Sequence, residues 1–121
     1  MRIASILENQ QIEKRISITP EIAKKYIALG FEVTLSENYA IHLGIKDNQF
    51  TDLGVKILKD EKEVINNADI IVQLGLISDE KSSLIKTNQT LIGVFDTYNN
   101  KEKINEIKKK KYKYIFFRAA S

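Results

Sequence analysis

The sequence has no cysteine, a single histidine, a single proline, and no apolar run near the roughly 18 residues that mark a membrane span. Without cysteine there is no disulfide and no thiolate nucleophile, and a structural zinc site loses its commonest ligand. His42 has no paired carboxylate at metal-ligand spacing, so a surface histidine is expected. Neither a G-x-G-x-x-G fingerprint nor a P-loop occurs, which removes the usual backbone cradle for a dinucleotide phosphate. The first residues alternate charged and apolar groups too quickly for a signal peptide, so a cytoplasmic chain with no direct membrane span is expected. The net charge of +3 is too small for the basic footprint of a nucleic-acid binder.

What is present is an ordinary globular composition, with 43% hydrophobic and 29% charged residues across 121 positions. That length supports one compact domain with a core but not two full ones. Glu13–Val33 carries the clearest local signals. Thr19 is a good N-cap and Pro20 falls at the first helical position. Ile22, Ala23, Tyr26 and Ile27 share one face, and Gly30 supplies the stop. Strands are expected over Arg2–Ile6, Phe31–Leu35, Val55–Leu58, Ala68–Leu76, Thr90–Phe95 and Tyr112–Phe117. Between them lie helices over Asp47–Leu53, after Asp60, from Ser78 to near Ile85, and over Lys101–Lys109. The stretch Ser36–Lys46 has no clean period and is expected to loop across the surface. This alternation predicts an α/β fold: an open, mostly parallel sheet with helices on both faces, flavodoxin-like or Rossmann-like but without the dinucleotide fingerprint. The Ala68–Leu76 run, apolar on both faces, suits a central strand.

Ligands of such sheets bind outside the carboxyl ends of the strands. After the first strand come Glu8, Glu13, Lys14 and Arg15; Arg15 could clamp a carboxylate or phosphate, against the plainer reading of a solvated loop arginine. After the central strand come Gln73 and Gly75. Gln73 can donate and accept hydrogen bonds but cannot transfer protons at neutral pH. Asp96, after the next strand, is a base or anchor in one reading and an Asx-turn cap in the other. The Lys108–Lys111 run reads as a solvated helix end in which cations favour the helix dipole.

The residues themselves carry a resemblance. Met1-Arg2-Ile3, Glu8, Glu13 and Arg15-Ile16-Ser17-Ile18-Thr19-Pro20 resemble the opening M-R-I-G-I-P-K-E followed by E-R-R-V-A-L-T-P. That opening is shared by alanine dehydrogenase and the NAD-binding alpha subunit of proton-translocating NAD(P) transhydrogenase. Leu29–Val33, Glu37, Gly54–Ile57, Ala68–Ile71 and Gln89–Leu91 continue the match collinearly. The transhydrogenase branch is the more similar. Alanine dehydrogenases carry a lysine two places after the position of Gln73 and a histidine at the position of Asp96; here Gly75 and Asp96 stand there. Ile6-Leu7 replaces the family's Pro-Lys, and Gln73 replaces a lysine common to both branches. Phe117–Ser121 resembles a shortened P-R-I-T-R-A-Q-S, with Arg118 and Ser121 retained and Ala120 in place of the glutamine.

The resemblance implies a single domain over 1–121, similar to the N-terminal lobe of the transhydrogenase alpha subunit, with the Rossmann domain lying beyond it. It implies cofactor-binding roles for Arg15, Gln73, Arg118 and Ser121, and neither a catalytic residue nor a metal ligand. In the family, hydride passes between NADH and NADP, coupled to proton translocation. NAD(H) is the implied cofactor, with NADP(H) on a partner domain and neither held tightly by this chain alone. Implied partners are the remainder of the alpha subunit and the NADP-binding and membrane components. In the intact family the subunit is a homodimer peripheral to the inner membrane through those partners. On this reading the chain alone is inactive. A non-catalytic remnant or assembly module, and an alanine dehydrogenase-like N-terminal domain, remain as alternatives.

Overall fold

The computed structural model describes residues 1–11, 13–75, 77–95 and 112–118. The expected helix over 101–109, Asp96, the Lys108–Lys111 run and Ser121 lie outside them.

Six strands form one sheet: β1 (Arg2–Ser5), β2 (Glu32–Ser36), β3 (Lys56–Leu58), β4 (Ile70–Gln73), β5 (Thr90–Phe95) and β6 (Lys113–Arg118). Their spatial order is β3-β2-β1-β4-β5-β6, and all five pairings are parallel. The helices are α1 (Pro20–Ala28), α2 (Asp47–Thr51), α3 (Glu61–Asn66) and α4 (Asp79–Ser82).

Alternation along the strands sends successive side chains to opposite faces, and two cores result. Ile3, Val33 and Leu35 pack with Ala23 of α1 and Phe50 of α2. Ala4, Ile71 and Leu91 pack with Val64 and Ile65 of α3 on the other face. The chain lays β2 and β3 to one side of β1, then crosses back and lays β4, β5 and β6 to the other. The strand order therefore reverses between β1 and β4, where connecting loops part and leave a crevice.

The helix signals around α1 hold in the structure. Thr19 Oγ1 accepts from the Ile22 N–H at 3.2 Å, Pro20 opens the helix, and Gly30 beyond its end has φ +96°. Asp60 caps α3 through the Lys62 N–H. Asp47 is the first residue of α2 instead of its cap, and its carboxylate accepts from the Asn38 N–H.

The reading of Ser36–Lys46 as a surface loop needs correction. Ser36 ends β2, a 3-10 turn covers Ile41–Leu43, and Tyr39 and Ala40 are fully buried. The Tyr39 ring meets Phe50 edge to face at 6.1 Å. A single aromatic anchor carries no period, so hydrophobic patterning does not reveal it. β4 is also shorter than the apolar run around it, stopping at Gln73. The reason is local: the Leu74 and Gly75 N–H groups donate to the side chain of Glu8 instead of to a neighbouring strand.

Candidate functional site

The crevice between the carboxyl ends of β1 and β4 is bridged by the loop running from β1 to α1. Within that loop, Glu8 is 6% exposed despite its charge. Its Oε2 accepts from the Leu74 N–H at 2.8 Å and the Gln73 amide at 3.1 Å, with the Ser17 hydroxyl at 3.5 Å. Its Oε1 accepts from the Gly75 N–H at 3.0 Å. Burial pushes the Glu8 carboxyl above its ordinary range. The Leu74 and Gly75 N–H groups pull it back down, Glu13 adds an upward push, and Ser17 a downward pull. Every one of its partners is a donor, so the surroundings match the ionised form even though desolvation opposes it.

Gln73 is 3% exposed. Its Oε1 accepts from the Ile6 N–H at 2.8 Å, and its Nε2 donates to the Ile6 carbonyl at 3.1 Å. The backbone register that pairs Ile3 with Ile70 and Ala4 with Ile71 places Ile6 across from Gln73. The glutamine amide thus acts as a surrogate peptide, continuing the β1–β4 ladder where the two backbones part. One floor below, the Tyr39 hydroxyl accepts from the Ser17 and Ile18 N–H groups, each at 3.2 Å. Its own hydrogen then goes to Ser5 Oγ at 2.8 Å, leaving the Ser5 hydrogen for the Val72 carbonyl at 2.6 Å. Burial raises the Tyr39 phenol, which stays a neutral hydrogen-bonding group.

Glu13 and Arg15 form the rim. Arg15 Nε and Nη2 meet the two Glu13 oxygens at 3.0 and 2.8 Å, a bidentate pair, and the Arg15 side chain is 71% exposed. The Arg15 hydrogen bond is the main cause holding the Glu13 carboxyl below its usual value. His42 is half-buried and not a free surface side chain. Its Nε2 donates to the Lys14 carbonyl at 2.7 Å, which leaves Nδ1 to accept from the Gln10 amide at 3.1 Å in the neutral ring. Leu7 is tied to β2 through Ser36 Oγ at 2.9 Å.

Among the residues expected to bind cofactor, the structure brings Arg15 and Gln73 to the same crevice, one on its exposed rim and one in its floor. Gly75 adjoins both, since a Cβ there would lie 3.2 Å from Glu8 Oε1 and 3.7 Å from Glu13 Cβ. Arg118 closes β6, its backbone opposite Phe95 and two strands away from β1; Ser121 and Asp96 lie outside the described residues. Sequence reasoning passed over Glu8 and Tyr39 as organising residues. The signal available for Glu8 was its place immediately after a buried strand; nothing local marked Tyr39. Among the described residues no group of three His, Asp or Glu side chains could hold a metal, and no helix is long and apolar enough to cross a membrane.

Comparison with known proteins agrees with this geometry. The first portion of the NAD(P) transhydrogenase alpha subunit of Rickettsia prowazekii, a separate chain there, is 33% identical over 114 residues, covering 91% of this chain and 30% of that protein. Alanine dehydrogenase 1 of Staphylococcus aureus is 26% identical over 107 residues, covering 88% of this chain and 28% of that protein. The chain therefore spans about a third of the length of the curated relatives it matches. The crystal structure of transhydrogenase from Sinorhizobium meliloti superposes with a TM-score of 0.81 at 23% identity, covering 96% of this chain and 34% of that one, which shows the fold. The family model for the alanine dehydrogenase/PNT N-terminal domain matches residues 6–117, nearly the whole sequence, and the chain belongs to that family.

Proposed function

We propose that this domain forms one wall of an NAD(H) cleft in a transhydrogenase alpha subunit and helps present NADH to an NADP-binding partner. The observation that carries the reading is the crevice at the β1–β4 switch point, with an exposed arginine on its rim and its floor locked by buried side-chain hydrogen bonds. Hydride transfer between two nicotinamides asks the protein chiefly for positioning, since the cofactors carry the chemistry. A rigid floor beneath an exposed cation suits that task.

The residues present do not fit a complete dinucleotide site. The turn from β1 to α1 contains no glycine between Ile6 and Thr19. At the start of α1, the Ile22 N–H is taken by Thr19 Oγ1 and Pro20 has no N–H to offer. Glu8 adds negative charge beneath the same turn. A pyrophosphate would find neither donors nor charge complementarity there, so the main grip on NAD(H) must come from another domain.

Gly75 favours the transhydrogenase branch over the amino-acid dehydrogenase branch. The space above it is held by Glu8 and Glu13, and no ammonium group stands at that position to seat a substrate carboxylate. Remaining segments of an alpha subunit, and NADP-binding and membrane components, are the partners this reading requires.

The test is a fluorescence titration of the chain with NADH, alone and mixed with a Rossmann-containing remainder of the subunit. Weak binding alone, strengthened by the remainder, is the expected result. No binding in either case would favour a non-catalytic remnant. The chain alone is expected to show no NADH-dependent reduction of an NADP analogue, and measurable turnover would refute this reading. Pyruvate-dependent NADH oxidation would revive the alanine dehydrogenase-like one.

A further inference from the structure

We propose that the end of β4 is a three-donor carboxylate cradle, made by the Leu74 and Gly75 N–H groups and the Gln73 amide, and that Glu8 is its built-in occupant. In this role Glu8 is a positioning residue: by filling the cradle it holds the β1–α1 loop, and with it the Glu13–Arg15 rim, over the crevice. The donors converge on one carboxylate from a single short stretch of backbone, at 2.8, 3.0 and 3.1 Å. They cannot serve the sheet, because β4 ends at Gln73. Two consecutive N–H groups aimed at one buried anion are the arrangement by which loops hold carboxylates and phosphates. The two Glu8 oxygens divide the donors, Gly75 on Oε1 and Leu74 with Gln73 on Oε2, as a bidentate acceptor does.

Three features tie the cradle to the rim. The Ser17 hydroxyl, beyond Arg15 in the loop, is the fourth polar contact of the carboxylate, at 3.5 Å. Gly75 leaves room for Glu8 Oε1, which a Cβ would crowd at 3.2 Å, and its other neighbour is Glu13 Cβ. Other hydrogen bonds of the loop run to the opposite wall: Leu7 to Ser36, Lys14 and Gln10 to His42, and Ser17 and Ile18 to Tyr39. Gln73, through Ile6, and Glu8 are what join the loop to β4, so Glu8 sets how the loop spans the crevice beyond the strand. The cradle selects a planar carboxylate of about formate size, since the space is shaped by a glutamate headgroup. While Glu8 occupies it, a free carboxylate substrate cannot enter.

The effect of the rim on any nucleotide rests on the function proposed above, so the test reads the hydrogen bonds and stability, which do not depend on NADH. In the wild-type chain, through-hydrogen-bond NMR couplings are expected from the Leu74 and Gly75 amide nitrogens to the Glu8 carboxyl carbon. Both amide hydrogens are also expected to exchange slowly. In Glu8→Ala, sodium formate should raise the melting temperature saturably, by roughly 4 °C, and restore slow exchange at both amides. Sodium chloride at the same ionic strength should not, and the wild-type chain should respond to neither. Glu8→Asp, one methylene shorter, should lose one of the two couplings. Absence of both couplings in the wild-type chain would overturn the proposal whatever the variants do, as would equal effects of formate and chloride on Glu8→Ala.

Discussion

At the residue scale, buried polar side chains take over tasks that backbone performs elsewhere in a sheet. Gln73 and Gln89 are the paired examples, at opposite ends of the strands. Gln73 replaces a missing peptide opposite Ile6. Gln89 donates to the carbonyls of Ile65 and Ala68 at 2.6 Å each, closing the end of α3. Gln73→Leu would leave both Ile6 groups buried without partners and should cost about 3 kcal/mol, read as a lowered urea midpoint at unchanged slope. Tyr39→Phe keeps the ring against Phe50 but strands the Ser17 and Ile18 N–H groups; a loss of about 2 kcal/mol is expected by the same measurement. The rim pair gives a pH dependence with a definite sign. Glu13 is held below its ordinary 4.5 by Arg15. Its contribution is therefore present above pH 4.5 and is lost as pH falls through the lowered folded value. Arg15 is so exposed that the amount is small. Arg15→Met should be slightly less stable than the wild type at pH 7, and the two should converge in acid, as unfolding series at each pH would show. Glu8 acts in the opposite sense: its raised value makes its linkage contribution fall as pH climbs from 4.5 through that value.

Elements differ in how far local sequence explains them. α1 is specified by its own residues: a Thr19 cap, Pro20 first, an apolar stripe, and Gly30 after its end. Thr19→Ala should destabilise by about 1 kcal/mol, measured as a shift in thermal or urea midpoint. β4 is only half explained in this way. Its apolar residues mark a central strand, and it does lie between β1 and β5, but its last pairing residue is decided by Glu8, 65 positions before Gln73. The Ser36–Lys46 connector is the opposite case, irregular in pattern yet anchored by a fully buried tyrosine. The outer strands among the described residues, β3 and β6, each place a lysine outward, Lys56 and Lys113, a charge that discourages pairing with another chain.

At the scale of the whole molecule, the domain offers half of a site. The sheet order reverses once, and the crevice this creates has an exposed rim cation but no phosphate-binding turn. Relatives about three times as long share this region as their N-terminal domain. If the wall reading holds, supplying the remainder of the subunit should tighten NADH binding at least about tenfold, some 1.4 kcal/mol. Arg15→Ala should reduce that gain without moving the melting temperature much, because its side chain is mostly solvated. A titration of the wild type and this variant, with and without the remainder, checks the two effects separately.

The sequence by itself determined the α/β class, the six strands, the caps of α1 and α3 and the family resemblance, because these depend on periodicity and on residues a few positions apart. It also placed Arg15 and Gln73 after strands, and hence at the sheet's ligand end. Only the tertiary structure decided what those residues do there. Gln73 meets Ile6 and Glu8 meets Gly75 across separations of 67 positions, and such pairings arise from strand order, which local pattern does not encode. For the same reason the structure alone showed that a glutamate following the first strand is buried and fully partnered. A carboxylate can be withdrawn from water only where the fold brings enough donors to meet it.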